Sequence, residues 1–296
     1  MPSLLYARFP ATSLYLLATE TYPLDLVSGA TGAYALRKLA VAYAGAALKV
    51  RRSSDDTTQD IGFNGFYLDF AALSAFVGGN NGFVDTWYDQ SGNGRNLVQA
   101  TTTIQPQVVS SGALYTDIGG YPAIDFNGSR YLESAVAQSN FLTASAGTAF
   151  QIWVADTAST NAGSCIWGNR GGWNAVLIRD VSGTIHIRGM GFDGTEDYAD
   201  NSPYATGTSY VTAWQHGGGN LNLYVLNSTA VATVAHGNET TLTANMVVGR
   251  DAQVTGNSSI FDGRMAEQII WNTALSSGDL ATIGAALASP YGLTWT

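Results

Sequence analysis

Residues 261–287 read FDGRMAEQIIWNTALSSGDLATIGAAL, and the way this stretch divides decides the fold class. RMAEQIIWN, bounded by Asp-Gly and closing on the β-branched and aromatic run IIW, reads as a strand. Behind it Ser276 or Ser277 can cap a helix whose apolar positions Leu280, Ile283 and Leu287 recur at helical spacing. One strand followed by one closing helix is the expected end of the chain.

Moving outward, everything upstream to about residue 122 repeats the first half of that pattern without the second. PAIDFNG, YLES, AFQIWVAD, SCIWGN, NAVLIRD, TIHIRGMGF, SYVTAWQHG, LNLYVLN and NMVVGRD are short apolar runs separated by polar turns. Such spacing predicts two packed sheets, and the lack of a fixed period argues against a solenoid or propeller. The front of the chain is mixed. AYALRKLAVAY (33–43) places Leu36, Leu39, Ala40 and Tyr43 on one helical face, ALKVRRSS and QDIGF read as short strands, LDFAALSAFVG as a short helix, and GFVDTWYD as a strand. The expectation from this pattern is an all-β β-sandwich with a few short helices; that it is a concanavalin-like jelly roll is what the resemblance carried by the quoted tail implies. Residues 24–296 are read as a single enlarged domain, since no long linker divides them, with 1–23 as an N-terminal arm suited to oligomerisation or attachment.

Composition narrows the function. Charged residues make up 12% of the chain and the formal net charge is −9, which argues against a nucleic-acid partner because phosphate binding needs clustered cations. The basic residues that do cluster, Arg37, Lys38, Lys49, Arg51 and Arg52, precede Asp55 and Asp56 and read as local pairing. A single cysteine, Cys165, excludes an internal disulfide and a Cys-built zinc site. His186, His216 and His236 show no ligand spacing, which argues against a metal site built from histidine alone. Arg8, Pro10 and Glu20 interrupt the apolar N-terminus, so neither a signal peptide nor membrane insertion is expected.

Sugars are held by aromatic faces flanked by amides and carboxylates. Two segments carry that combination: Trp87, Tyr88, Asp89 and Asn93 in WYDQSGNGRN, and Trp167, Asn169, Trp173 and Asn174 in IWGNRGGWN. The second reads as a loop and is the better candidate. The first reads more readily as a structural corner, with Trp87 and Tyr88 closing a core strand and Asp89 bonding the amides of a glycine turn beside a sugar groove.

The tail quoted above resembles the closing strand and helix of concanavalin-like and laminin-G-like sandwiches. WYDQSGNGRNLVQA, with ALKVRRSSDDTTQDI before it, resembles the catalytic domain of glycoside hydrolase family 54 α-L-arabinofuranosidases over roughly residues 30–270. The resemblance implies an acid/base aspartate at Asp251 in VVGRDAQ, where the residues alone equally fit a turn aspartate. It places the family's nucleophile on TIHIRGMGF, near Arg188 or Met190, where no carboxylate stands. The family's vicinal disulfide is also ruled out, because Ser164 sits beside Cys165. Asp193, Glu196 and Asp197 follow in what reads as a loop, which suits a solvated surface or a calcium-type oxygen site. No other cofactor is implied.

Phage tail and other virion surface proteins carry similar modules. The resemblance therefore implies a virion-surface, non-catalytic carbohydrate-binding or structural module whose partners are cell-surface glycan, other virion proteins and further copies of itself. The competing readings are an active arabinofuranosidase-like exo-glycosidase, with Asp251 as acid and an acid from 193–197 as nucleophile, and a purely structural decoration protein.

Overall fold

The strand at the end of the chain, Gly263–Trp271, is the spine of one layer. In the computed structural model, which describes residues 20–116, 118–157, 164–169, 174–181, 184–201, 204–240, 242–250 and 260–296, it pairs antiparallel with Ala30–Ala35 on one side and Gly147–Ala155 on the other. Gly147–Ala155 pairs in turn with Ser209–Gly217, which forms a hairpin with Asn220–Val225. All nine residues of Gly147–Ala155 are buried. A strand covered on both faces has no solvent side to fill with polar residues, which is why FQIWVA is apolar but for Gln151, whose side chain accepts from the Thr212 hydroxyl.

The second layer runs Glu196–Asn201, Thr184–Phe192, Ala175–Val181, Ser164–Asn169, Asn245–Val248 and Leu132–Ala137, each antiparallel to the next. It continues through Leu97–Val98 and Gly82–Trp87 to Leu48–Arg52. Gln107–Ser110 and Ile124–Asp125 hydrogen-bond both layers into one continuous sheet that closes over itself. Trp87, Trp153, Trp167 and Trp214 fill the space between the layers, all with no exposed surface. A second core lies on the far face of the first layer, where Phe150, Ile152, Ile269 and Trp271 meet Leu280, Ile283 and Leu287 of the helix Ser277–Ala288. Ser276 caps that helix by accepting from the Asp279 amide. Among the described residues, no helix is long and apolar enough to cross a membrane.

Three local expectations are overturned. The helix read at 33–43 is instead the strand Ala30–Ala35 followed by bends. Its alternation, Ala33 and Ala35 toward the helix layer and Tyr34 toward the interior, was masked by small residues with little polarity contrast, and pairing with Glu267–Trp271 outweighs local helix preference. GFDGTEDYAD is a loop only at 193–195, because Glu196–Asn201 adds a strand to Thr184–Phe192. Arg51 and Arg52 pair locally with Asp56 and Asp55, but Arg37 does not. Its guanidinium crosses the core to Glu267, which also accepts a hydrogen bond of 2.7 Å from the Tyr291 hydroxyl.

Candidate functional site

The strands between residues 164 and 201 present two different faces. Toward the core between the layers they turn Val176, Ile178, Ile187 and Ala199. Gly189 leaves room there for Trp214, whose indole N–H donates to the Met190 carbonyl at 3.0 Å. On the opposite face Cys165, Ala175, Leu177 and Met190 form a small cluster of their own, with Tyr198 packed against it. Arg188 lies on that face, two residues before Met190. Its guanidinium sits 4.1 Å from the Tyr198 ring centre and forks onto Asp200, with Nη2 donating to Oδ2 at 2.8 Å and Nε to Oδ1. Pairing of Met190 with Tyr198 and of Arg188 with Asp200 keeps these four side chains together.

Among the described residues, the aromatic side chains singled out in the sequence do not line a sugar platform: Trp87 and Trp167 are core residues. Trp87 lies in the core against Tyr34, their ring centres 5.8 Å apart. The Tyr88 hydroxyl donates to Asp60. Asp89 is buried and accepts from the amides of Ala33, Ser91 and Arg95 at 2.9, 2.9 and 3.0 Å. Exposed Asn93 donates from its amide to the Ala30 carbonyl. WYDQSGNG is thus a corner that ties the first strand to the turn at 91–94. Trp167 is also a core residue. A bulge between Cys165 and Trp167 sends Ile166 and Trp167 both inward, because one extra residue in a strand reverses the facing of those beyond it. Asn174 is buried, its amide on the Gln138 side chain. The Asn169 side chain, Trp173 and Asp251 lie outside the described residues.

Of the acids 193–197, Asp193 and Asp197 turn toward His236 and its loop, away from Met190, whereas Glu196, two residues before Tyr198 on the same strand, is exposed on the Tyr198 face. Asp193 accepts from the Gly237 and Thr195 amides, and Asp197 accepts at 2.8 Å from Nδ1 of His236. The other nitrogen of that ring, Nε2, lies 2.9 Å from Glu239 Oε1. Burial alone would push His236 down, but its bonds to Glu239 and Asp197 outweigh this and hold it up at about 9. His216, its ring 6.0 Å from His236, is pushed down to about 4 by burial and by that neighbour. His216, His236 and Glu239 each offer one ligand atom within 4.8 Å of the others. Little in the sequence signals this cluster: His236 precedes Glu239 by three residues, but His216 joins them only because the strand Ser209–Gly217 lies alongside.

Residues 28–163 match the family described as Alpha-L-arabinofuranosidase B, catalytic. The chain resembles that catalytic domain. A GH54 a-l-arabinofuranosidase soaked with a cyclic sulfate inhibitor is similar over 92% of this chain, with a TM-score of 0.67 and 15% identity. An arabinofuranosidase complexed with arabinofuranosyl-alpha-1,2-xylobiose is similar over the same share, with a TM-score of 0.66 and 15% identity. At that identity the likeness establishes the fold. The arabinofuranosidase-like chain covers 65% of each of those two proteins. No curated protein sequence matches it.

Proposed function

We propose that the chain is an arabinofuranosidase-type glycoside hydrolase whose nucleophile stands one strand away from its usual place. The family match and the shared fold support the substrate class, a terminal α-L-arabinofuranosyl group. The observation that carries the mechanism is Asp200. It is a carboxylate cross-strand from Arg188, on the same face as Met190, and the Arg188 fork fixes its orientation. In a retaining reaction Asp200 attacks the anomeric carbon while a second carboxyl group, about 5–5.5 Å away, protonates the departing glycosidic oxygen. From the sequence that acid is Asp251. Water then releases the sugar from the ester, with Asp251 taking the water's proton.

A second reading, sugar binding without turnover, is favoured by one specific feature: Arg188 and Met190, near which the resemblance calls for an acid, carry no carboxylate, and Arg188 engages both oxygens of Asp200. Release of 4-nitrophenol from 4-nitrophenyl α-L-arabinofuranoside separates the two. Hydrolysis predicts turnover that falls at least about 1,000-fold in Asp200→Asn and in Asp251→Asn, as loss of a catalytic group requires. Absence of turnover in the wild type, with arabinofuranosyl oligosaccharides still retained on the protein, would establish binding instead.

A further inference from the structure

The cluster behind the candidate sugar face contains a buried polar group that the arabinofuranosidase reading does not use. His216 has no exposed surface, and neither of its ring nitrogens has a well-formed hydrogen bond, the Thr143 and Ala146 backbone beside it offering only poorly aligned contacts. A buried imidazole without well-formed partners loses its hydration with little in return. Beside it stand the Nε2 atom of His236 and the carboxylate of Glu239, both residues 4% exposed. Gly191 makes room for this grouping, since a Cβ there would lie 2.7 Å from the His236 ring and 2.9 Å from Glu239 Oε1.

The surroundings are built to hold these side chains in place. Asp197 accepts from Nδ1 of His236 and turns Nε2 toward Glu239 and His216. That carboxylate–imidazole pair is the arrangement that orients a histidine toward a metal. Glu239 accepts from the Phe192 amide through its other oxygen. The loop that carries both residues is pinned at three backbone points: His236 to Gly219, Glu239 to Ala144, and Thr240 to Phe192.

We propose that His216, His236 and Glu239 form a buried site for a divalent transition metal of the zinc type. Two imidazoles and one carboxylate suit Zn²⁺ rather than Ca²⁺ or Mg²⁺, which take mainly oxygen ligands. The ligand atoms lie within 4.8 Å of one another, so rotamer adjustments of about an ångström bring them to Zn–N and Zn–O distances of about 2.0–2.2 Å. A cation at the centre gives all three ligand atoms a partner, the His216 ring among them. The metal has a structural role here, clamping the hairpin at 209–225 to the loop at 236–240.

The test is titration of the metal-stripped full chain with Zn²⁺ against a chromophoric chelator, together with the visible spectrum of the Co²⁺ form. One Zn²⁺ per chain is expected, with a tetrahedral-type Co²⁺ spectrum and a rise in melting temperature. His216→Ala and Glu239→Gln should each weaken binding at least about 10-fold and remove the Co²⁺ bands, while His186→Gln leaves both unchanged. Circular dichroism checks that each variant folds. Failure of the folded wild type to take up Zn²⁺ saturably would overturn the proposal even if a variant cannot be prepared. So would Zn²⁺ affinity undiminished in either folded variant.

Discussion

Replacing Arg37 with Met tests a buried ion pair that joins the front of the chain to its last strand. Arg37 is 1% exposed and Glu267 fully buried, so solvent cannot compensate either charge. Removing one partner of such a pair costs about 3–5 kcal/mol, because the other charge stays buried. Two features place this case toward the lower end. The Tyr291 hydroxyl continues to donate to Glu267, and burial already pushes the Glu267 carboxyl up, so it can take a proton once the guanidinium is gone. For 296 residues, an unfolding entropy of about 2.1 cal/mol/K per residue gives roughly 0.6 kcal/mol/K, and a loss of about 3 kcal/mol lowers the melting temperature by about 5 °C. Calorimetry and urea unfolding read this directly. Arg37→Met combined with Glu267→Met should recover at least half of the loss, since apolar replacement of a whole buried pair is often neutral. A single variant that loses less than about 1 kcal/mol, or a double variant no more stable than the single, would refute the reasoning.

Asp89→Ala removes three amide acceptors at once and should cost about 3 kcal/mol in urea unfolding; an unchanged midpoint would show that the 87–96 corner does not depend on its carboxylate. Burial pushes the Asp125 carboxyl up to about 6 despite Arg130 and Arg264 beside it. Because the folded state binds that proton more tightly than the unfolded chain, whose carboxyl titrates near 3.9, this contribution to stability is complete below about pH 4 and lost as pH rises through about 6. After allowance for solvent screening it amounts to roughly 1–2 kcal/mol, and Asp125→Asn should flatten the stability profile between about pH 4 and 6. An identical slope in both proteins would count against it.

The strand-rich second half was legible because two physical signals coincide there: apolar runs of strand length, and turn residues that need loops or left-handed backbone. The closing helix was legible for the same reason, with Ser276 at its start and apolar residues at helical spacing.

What the sequence could not supply was which face a residue takes once the chain turns back on itself. Trp87 and Trp167 look the same in sequence as exposed sugar platforms, and Trp167 is decided by one bulge that reverses its facing. Arg37 seemed to belong with Asp55 and Asp56, but strand pairing carries it to Glu267 instead. His216, His236 and Glu239 carry no motif, because their meeting depends on a hairpin and a loop held together by backbone hydrogen bonds. Local preference and periodicity act over a few residues and are written in the sequence. Facing and partnership across tens or hundreds of residues are set by sheet register and by the requirement that buried polar groups find partners, and only the tertiary structure decides them.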